Sequence, residues 1–309
     1  MIKGIHHLTA TAGQAPKDYH FYTQVLGLRL VKQTVNFDDP HVYHFYYGDE
    51  IGRPGTIMTT FPYAGRGVRR GTRGTGQVAV TAFSVPSGSL DFWQKRLMTY
   101  AVPYIQENWM EQLTLRILDP SGLELALVGN DEDDREPWTA GGVPVEAAIR
   151  GLHSVRLSID APQDSFEFLR TEMGMMPLAS IGNVHRYAMG EGYPGELLDV
   201  IDHTGYARGY GGLGTLHHVA FRIADATALG QLRHRLAEEL SFSVTEIKDR
   251  KYFQSIYFRM PGKVLFEMAT EAPGFSLDEP VDQLGHHLML PEWAEKNRSQ
   301  IEEELPAFR

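Results

Sequence analysis

The chain has 309 residues, 42% of them hydrophobic and 11% aromatic, enough for two ordinary domains or one large one. Its formal net charge of −10 argues against a nucleic-acid partner, because no excess of Lys and Arg is present to neutralise phosphates. It contains no cysteine, which excludes disulfides, thiolate chemistry and thiolate-bound metal clusters and leaves His, Asp, Glu, Tyr or carbonyl groups as ligands for any metal.

The chain opens on "KGIHHLTATA" (Lys3–Ala12), an apolar strand carrying a His doublet. A helical stretch follows at Ala15–Leu28, then the alternating runs "HVYHFYYGDE" and "TIMTTF". The same order recurs three more times. Strand-like starts stand at Gly76, Gly151 and Thr215, with helical stretches at Ser87–Tyr100, Ala161–Met175 and Asp225–Leu240. Ser87 or Ser89 is placed to cap the second helix. The unit is a strand, a helix and about three strands, or βαβββ, at roughly seventy residues per copy. The acidic, Pro- and Gly-bearing stretch Gly129–Pro144 separates copies two and three. It reads as the boundary between an N-terminal domain of copies one and two (residues 1–135) and a C-terminal domain of copies three and four (residues 145–280). Residues 281–309 read as a helical tail capped near Pro291. The basic, glycine-rich "GRGVRRGTRG" (Gly65–Gly74) reads as a solvated linker. The N-terminus is too short and polar for a signal peptide and no run approaches a membrane span, so a soluble cytoplasmic protein is expected.

The doublet is written twice, as His6-His7 and as His217-His218 in "GTLHHVAFRI"; copy three has His153-Ser154 in "RGLHSVRLSI". Successive strand residues point to opposite faces. Strict alternation puts His6, His153 and His217 on the apolar face, as hydrogen-bonded, half-buried histidines, with an outer-sphere role open for His6 and His217. It puts His7 and His218 on the small-or-polar face, as candidate metal ligands. Glu267 stands inside the apolar "KVLFEMAT", where a carboxylate is costly unless hydrogen-bonded, paired or metal-bound. Two His and one carboxylate form the facial triad suited to non-haem Fe(II), and Mn(II), Zn(II) or Ni(II) suit the same ligands. Aligning "RPGTIMTTF" with "MPGKVLFEM" puts Thr60 opposite Glu267, so copy one supplies no carboxylate. Copy two offers Gln77 at the His position and copy three Ser154, so no second metal site is expected. Glu124 reads as structural.

From Ile5 to Phe275 the chain resembles the vicinal oxygen chelate superfamily of glyoxalases, bleomycin-resistance proteins and extradiol dioxygenases. Its segments "GIHHLTA", "FYTQVLGLRLVKQTVNFDDP", "YHFYYGDEIGRPGT", "RGLHS", "LHHVAF" and "DRKYFQSIYFRMPGKVLFE" are most similar to the hydroquinone-type ring-cleaving dioxygenases. The resemblance implies an α+β fold of four βαβββ modules paired into two cupped, barrel-like sheets, with ligands from copies one and four. Copy one then pairs with copy four, and two with three. It implies His7, His218 and Glu267 as ligands of Fe(II), and a hydroquinone or catechol cleaved with O2. Tyr257 matches the active-site tyrosine of extradiol enzymes, or is a core aromatic. Arg250 or Lys251 offers a cation to an anionic ring, and Thr9 is a candidate hydroxyl beside the substrate. A glyoxalase-type isomerase or thiol transferase, or an aromatic-binding resistance protein, is the alternative. Folds of this type often form homodimers, and no stretch of sequence marks a contact surface.

Overall fold

Each repeat folds as a strand, a helix and three strands in the computed structural model, which describes residues 2–309. Module one contains β1 (Ile5–Ala12), α1 (Ala15–His20), β2 (Arg29–Asn36), β3 (Asp39–Gly48) and β4 (Ile57–Pro62). Module two contains β5 (Gln77–Val85), α2 (Leu90–Thr99), β6 (Tyr104–Trp109), β7 (Gln112–Leu118) and β8 (Glu124–Gly129). Module three contains β9 (Gly151–Ile159), α3 (Gln163–Thr171), β10 (Met176–Ile181), β11 (Val184–Ala188) and β12 (Leu197–Asp202). Module four contains β13 (Thr215–Ile223), α4 (Ala226–His234), β14 (Lys248–Asp249), β15 (Gln254–Arg259) and β16 (Leu265–Thr270). A glycine with positive φ precedes β1, β5 and β13 and opens β9. At Gly4 a Cβ would meet the Gly195 carbonyl at 2.8 Å, so close backbone contact demands glycine there.

The modules close into two curled sheets of eight strands. One runs β14-β15-β16-β13-β1-β4-β3-β2 and joins modules one and four. The other runs β10-β11-β12-β9-β5-β8-β7-β6 and joins modules two and three. Each sheet therefore draws strands from both 1–135 and 145–280. One continuous core lies behind both sheets and under the helices, from Leu8, Phe45 and Met58 to Trp93, Leu157 and Phe221. The concave sides carry their own buried clusters: Ile57, Ala220, Phe253 and Ala269 in the first cup, and Val80, Ala82, Ala126 and Val128 in the second.

Strict alternation fails at one place in each doublet strand. On the antiparallel β1–β13 ladder, Ile5 and His7 face the consecutive residues Phe221 and Ala220, so His6 is an extra residue. Thr9 and Ala10 face His218 and Leu216, so His217 is extra on β13. These are β-bulges, which kink the strand and re-aim its side chains. The second cup repeats them at Ala79 and His153. The expected placement of His6, His153 and His217 on the apolar face by strict alternation is therefore corrected.

Three other local expectations also change. Ser87 hydrogen-bonds Asp131 and Ser89 donates to the Pro86 carbonyl (2.6 Å), so neither caps α2. The tail forms two short helices, α5 (Glu292–Glu295) after Pro291 and α6 (Arg298–Glu304). The basic linker is pinned to the crossover before β13 by bridges Arg70–Leu213, Thr72–Tyr210 and Thr75–Arg208.

Asp18 of α1 is buried without a cation. Thr60 and Tyr47 donate to its Oδ2 (2.5 and 2.9 Å), Oδ1 has no partner, and burial pushes its pKa up to about 7. The unfolded chain releases this proton near pH ~4 and the folded chain holds it to about 7, so stability falls as pH rises between the two. Asp18→Asn should make the urea midpoint less pH-dependent over this window and higher than wild type at the alkaline end.

Candidate metal centre

The β1–β13 ladder sets Thr9 opposite His218 and His7 opposite Ala220, and β16 then places Glu267 opposite Ala220. Three side chains converge on the floor of the first cup. His7 Nε2 lies 3.1 Å and His218 Nε2 2.8 Å from Glu267 Oε2, and the two nitrogens are 3.4 Å apart. All three residues are buried, and among the described residues this is the one group of three or more His, Asp or Glu that could hold a metal ion. Neighbouring ligands of a single ion bound at about 2.1 Å in octahedral geometry stand about 3.0 Å apart, so the spacing fits one ion.

Hydrogen bonds behind the imidazoles fix which nitrogens face the cluster. His6 Nε2 lies 3.2 Å from the Thr270 carbonyl, which can only accept, so Nε2 carries the proton. Burial lowers the pKa of His6 to about 3, so the ring is neutral and its Nδ1 is an acceptor. His7 Nδ1, 2.9 Å away, then donates to it, leaving His7 Nε2 bare toward the cluster. His217 Nδ1 stands 2.8 Å from His218 Nδ1, the same contact in module four. The protein packed around its ring and the neighbouring His218 lower the pKa of His217 to about 4, although one edge of the residue is open to solvent.

Glu267 is fully buried. Burial alone would raise its pKa, but the two imidazoles facing it outweigh that and hold it well below the ordinary range. Tyr257 donates to Glu267 Oε1 (2.6 Å), while Oε2 makes no well-oriented hydrogen bond. A bare acceptor thus faces two imidazole nitrogens in a buried space. A cation satisfies all three at once; without one, a proton must sit between an imidazole and the carboxylate. The residues fit a divalent metal.

Around the cluster is a cavity of about 270 Å³. Tyr257, Arg250 and Thr9 all line it. Arg250 Nε is 3.2 Å from Tyr257 Oη and Nη1 is 3.8 Å from Asp38. Burial strips the guanidinium of hydration, but Tyr257 and Glu267 offset this and hold its pKa above the ordinary value. Lys251 turns away to Asp278 (2.6 Å) and the Leu290 carbonyl (3.0 Å), so the choice between the two cations falls on Arg250. Thr59 donates to Thr9 (2.9 Å) and lies 2.9 Å from His44 Nε2. Phe253 packs against the rings of His6 and His7, with centroids at 5.1 and 5.3 Å, and Tyr46 and Phe61 flank His44.

Sequence alignment misses the residue that replaces Glu267 in copy one. Thr9 pairs with Thr59 as Ala220 pairs with Glu267, so the counterpart is Thr59; Thr60 turns outward onto Asp18. In copy two the register puts Val80, not Gln77, where His7 stands. His153 lies in the second cup, hydrogen-bonded to Ser154 (3.1 Å). His44, Tyr46 and the Asn36–Asp38 turn were not singled out as cavity residues. Alternation in "HVYHFYY" was the available signal, since His44 and Tyr46 share a face opposite Tyr43, Phe45 and Tyr47.

Residues 4–127 match the family model of the glyoxalase/bleomycin resistance protein/dioxygenase superfamily. The chain is 42% identical over 307 residues to a Bacillus subtilis protein named as a candidate ring-cleaving dioxygenase, MhqO, covering 99% of this chain and 96% of that one. The chain belongs to the glyoxalase/bleomycin resistance/dioxygenase superfamily. It is also 36% identical to the chlorohydroquinone/hydroquinone 1,2-dioxygenase of Sphingobium indicum, covering 94% of this chain and 91% of that one. A crystal structure of a candidate dioxygenase from Bacillus subtilis superimposes with a TM-score of 0.94 at 42% identity, covering 100% of this chain and 98% of that one. Two curled eight-stranded sheets are thus the superfamily's architecture carried in one chain.

Replacing His7, His218 or Glu267 by Ala should abolish stoichiometric metal uptake measured by elemental analysis, while His153→Ala should leave it intact. His6→Phe removes only the acceptor behind His7 and should weaken metal affinity by about 10- to 100-fold. Because binding displaces a proton, affinity should rise with pH in titration calorimetry.

Proposed function

We propose that the chain is a metal-dependent ring-cleaving dioxygenase acting on a hydroquinone or catechol, with His7, His218 and Glu267 as the ligands of Fe(II). The observation that carries this is the bare His7–His218–Glu267 cluster at the floor of an aromatic-walled cavity, in a chain whose full-length relatives include a hydroquinone 1,2-dioxygenase. Thr59 in the position related to Glu267 disfavours the glyoxalase-type reading, which calls for an acidic ligand from each half of the site. The bound metal would supply Lewis acidity and a route for electrons between the ring and O2.

The chain's own groups then have separable tasks. Tyr257 ties down Glu267 Oε1 and so presents Oε2. Its hydroxyl also adjoins Arg250, whose positive charge favours the anionic form of a substrate hydroxyl entering the cavity. Since Thr59 donates to Thr9, the Thr9 hydroxyl proton is free to meet a substrate oxygen. Phe253, His44 and Phe61 give flat walls for a single substituted ring. His217 steadies His218 from behind and is itself exposed at the cavity edge.

Anaerobically Fe(II)-loaded protein should consume one O2 per substrate with at least one member of a hydroquinone and catechol panel and yield a ring-opened acid by mass. No uptake across a broad panel, despite bound metal, would overturn the dioxygenase reading. Tyr257→Phe should keep the metal and lower kcat by about 10- to 100-fold, the range for loss of a group that orients a metal ligand. Arg250→Met should chiefly raise KM and weaken the preference for more acidic, halogenated rings.

A further inference from the structure

The second cup has the same ladder as the first and the opposite charge logic. By register, Val80 and Ser154 stand where His7 and His218 stand, and Asp199 stands where Glu267 stands. Asp199 is already fully engaged, receiving Arg186 Nε at 2.7 Å and Nη2 at 2.9 Å and Trp109 Nε1 at 2.7 Å. It has nothing left for a metal. The position of Ala220 is taken by Arg156.

Arg156 lines a cavity of about 470 Å³ and is only 1% exposed. Its guanidinium lies flat on Trp109, 3.7 Å from the ring centroid, and Nη1 is 3.4 Å from Glu107. The Nε and Nη2 edge is buried and has no partner. Buried donors of a charged group are almost always satisfied, and an unpaired guanidinium edge is costly. That edge is the fork that meets a carboxylate with two parallel hydrogen bonds. Elsewhere on the wall, Arg73 pairs with Glu124, and Arg116 lies 3.5 Å from Glu107 and 3.6 Å from Glu124. Three cations and two carboxylates leave one positive charge over. Burial lowers Arg156 to about 10, so it remains charged at neutral pH.

We infer that the second cup is a binding site for a small organic monocarboxylate, held by the Arg156 guanidinium beside Trp109. The site is separate from the metal centre, and its existence does not depend on the reaction proposed there.

Titration calorimetry and Trp fluorescence on the full chain test this with benzoate as the ring-bearing probe, sorbate as the linear one, and benzamide as the neutral isostere of benzoate. Benzoate or sorbate should bind saturably at one site per chain. Benzamide should bind at least about tenfold more weakly than benzoate, and Arg156→Met should weaken carboxylate binding by a similar factor. His7→Ala should not change carboxylate affinity. Absence of saturable binding of both acids to wild type at a few millimolar would overturn the inference. So would equal affinity for benzoate and benzamide, undiminished binding in folded Arg156→Met, or loss of binding in His7→Ala. The benzoate–benzamide comparison is made on the wild-type chain and decides the matter even where Arg156→Met does not fold.

Discussion

The antiparallel ladder between β1 and β13 holds the rest of the molecule in register. It joins the first module to the last, and it brings His7 and His218, 211 residues apart in sequence, to within 3.4 Å. Each of its strands carries one extra residue, and each extra residue is the first His of a doublet. A regular ladder would turn the two histidines of a doublet to opposite faces. The bulge turns them toward each other, so that one ring can hold its neighbour by Nδ1. The doublet is thus a local device: the second imidazole faces the cup and the first holds it from behind through Nδ1. In module one that hold passes back to a main-chain carbonyl, Thr270 on the strand that carries Glu267. One strand therefore supplies the carboxylate and also determines the protonation of His7.

Two cups built on one ladder show how little is needed to change what a cup attracts. In the first, two imidazoles and a carboxylate present bare lone pairs, and the interior calls for a cation. In the second, the corresponding acid is neutralised by Arg186 and the interior holds an excess guanidinium. The backbone register is the same in both, bulges included. What differs is a handful of side chains on the concave face, as expected where function is grafted onto a fold held by its core.

Much of this was legible in the sequence because the repeat was. The recurrence of "GxHH" or "GLHS" at the start of an apolar strand identified equivalent positions, and Glu267 stood out as a charge in an apolar run. His7, His218 and Glu267 are recoverable from alternation alone because none of them lies at a bulge. His6 and His217 are at the bulges, and a bulge leaves no mark in a single sequence, so alternation sent them to the wrong face. Turn length is equally unmarked: one residue fewer before β4 than before β16 makes Thr59, not Thr60, the counterpart of Glu267, and Val80 rather than Gln77 matches His7. The choice of Arg250 over Lys251 was likewise invisible, since it depends on Asp278, beyond β16, reaching back to claim the lysine.

The order of strands in the two sheets also bears on how the chain assembles. The second cup is made of eight strands consecutive in sequence, β5 to β12, and can close as soon as they exist. The first cup cannot. After module one forms, the flank of β1 stays unpaired while two whole modules are synthesised and folded, and long-range closures of this kind are slow. The strand bearing His7 is meanwhile a sheet edge, open to unwanted partners until β13 covers it. Glu267 arrives later still. A half-made chain has no place for the ion, which can be held only once the first and last modules have met.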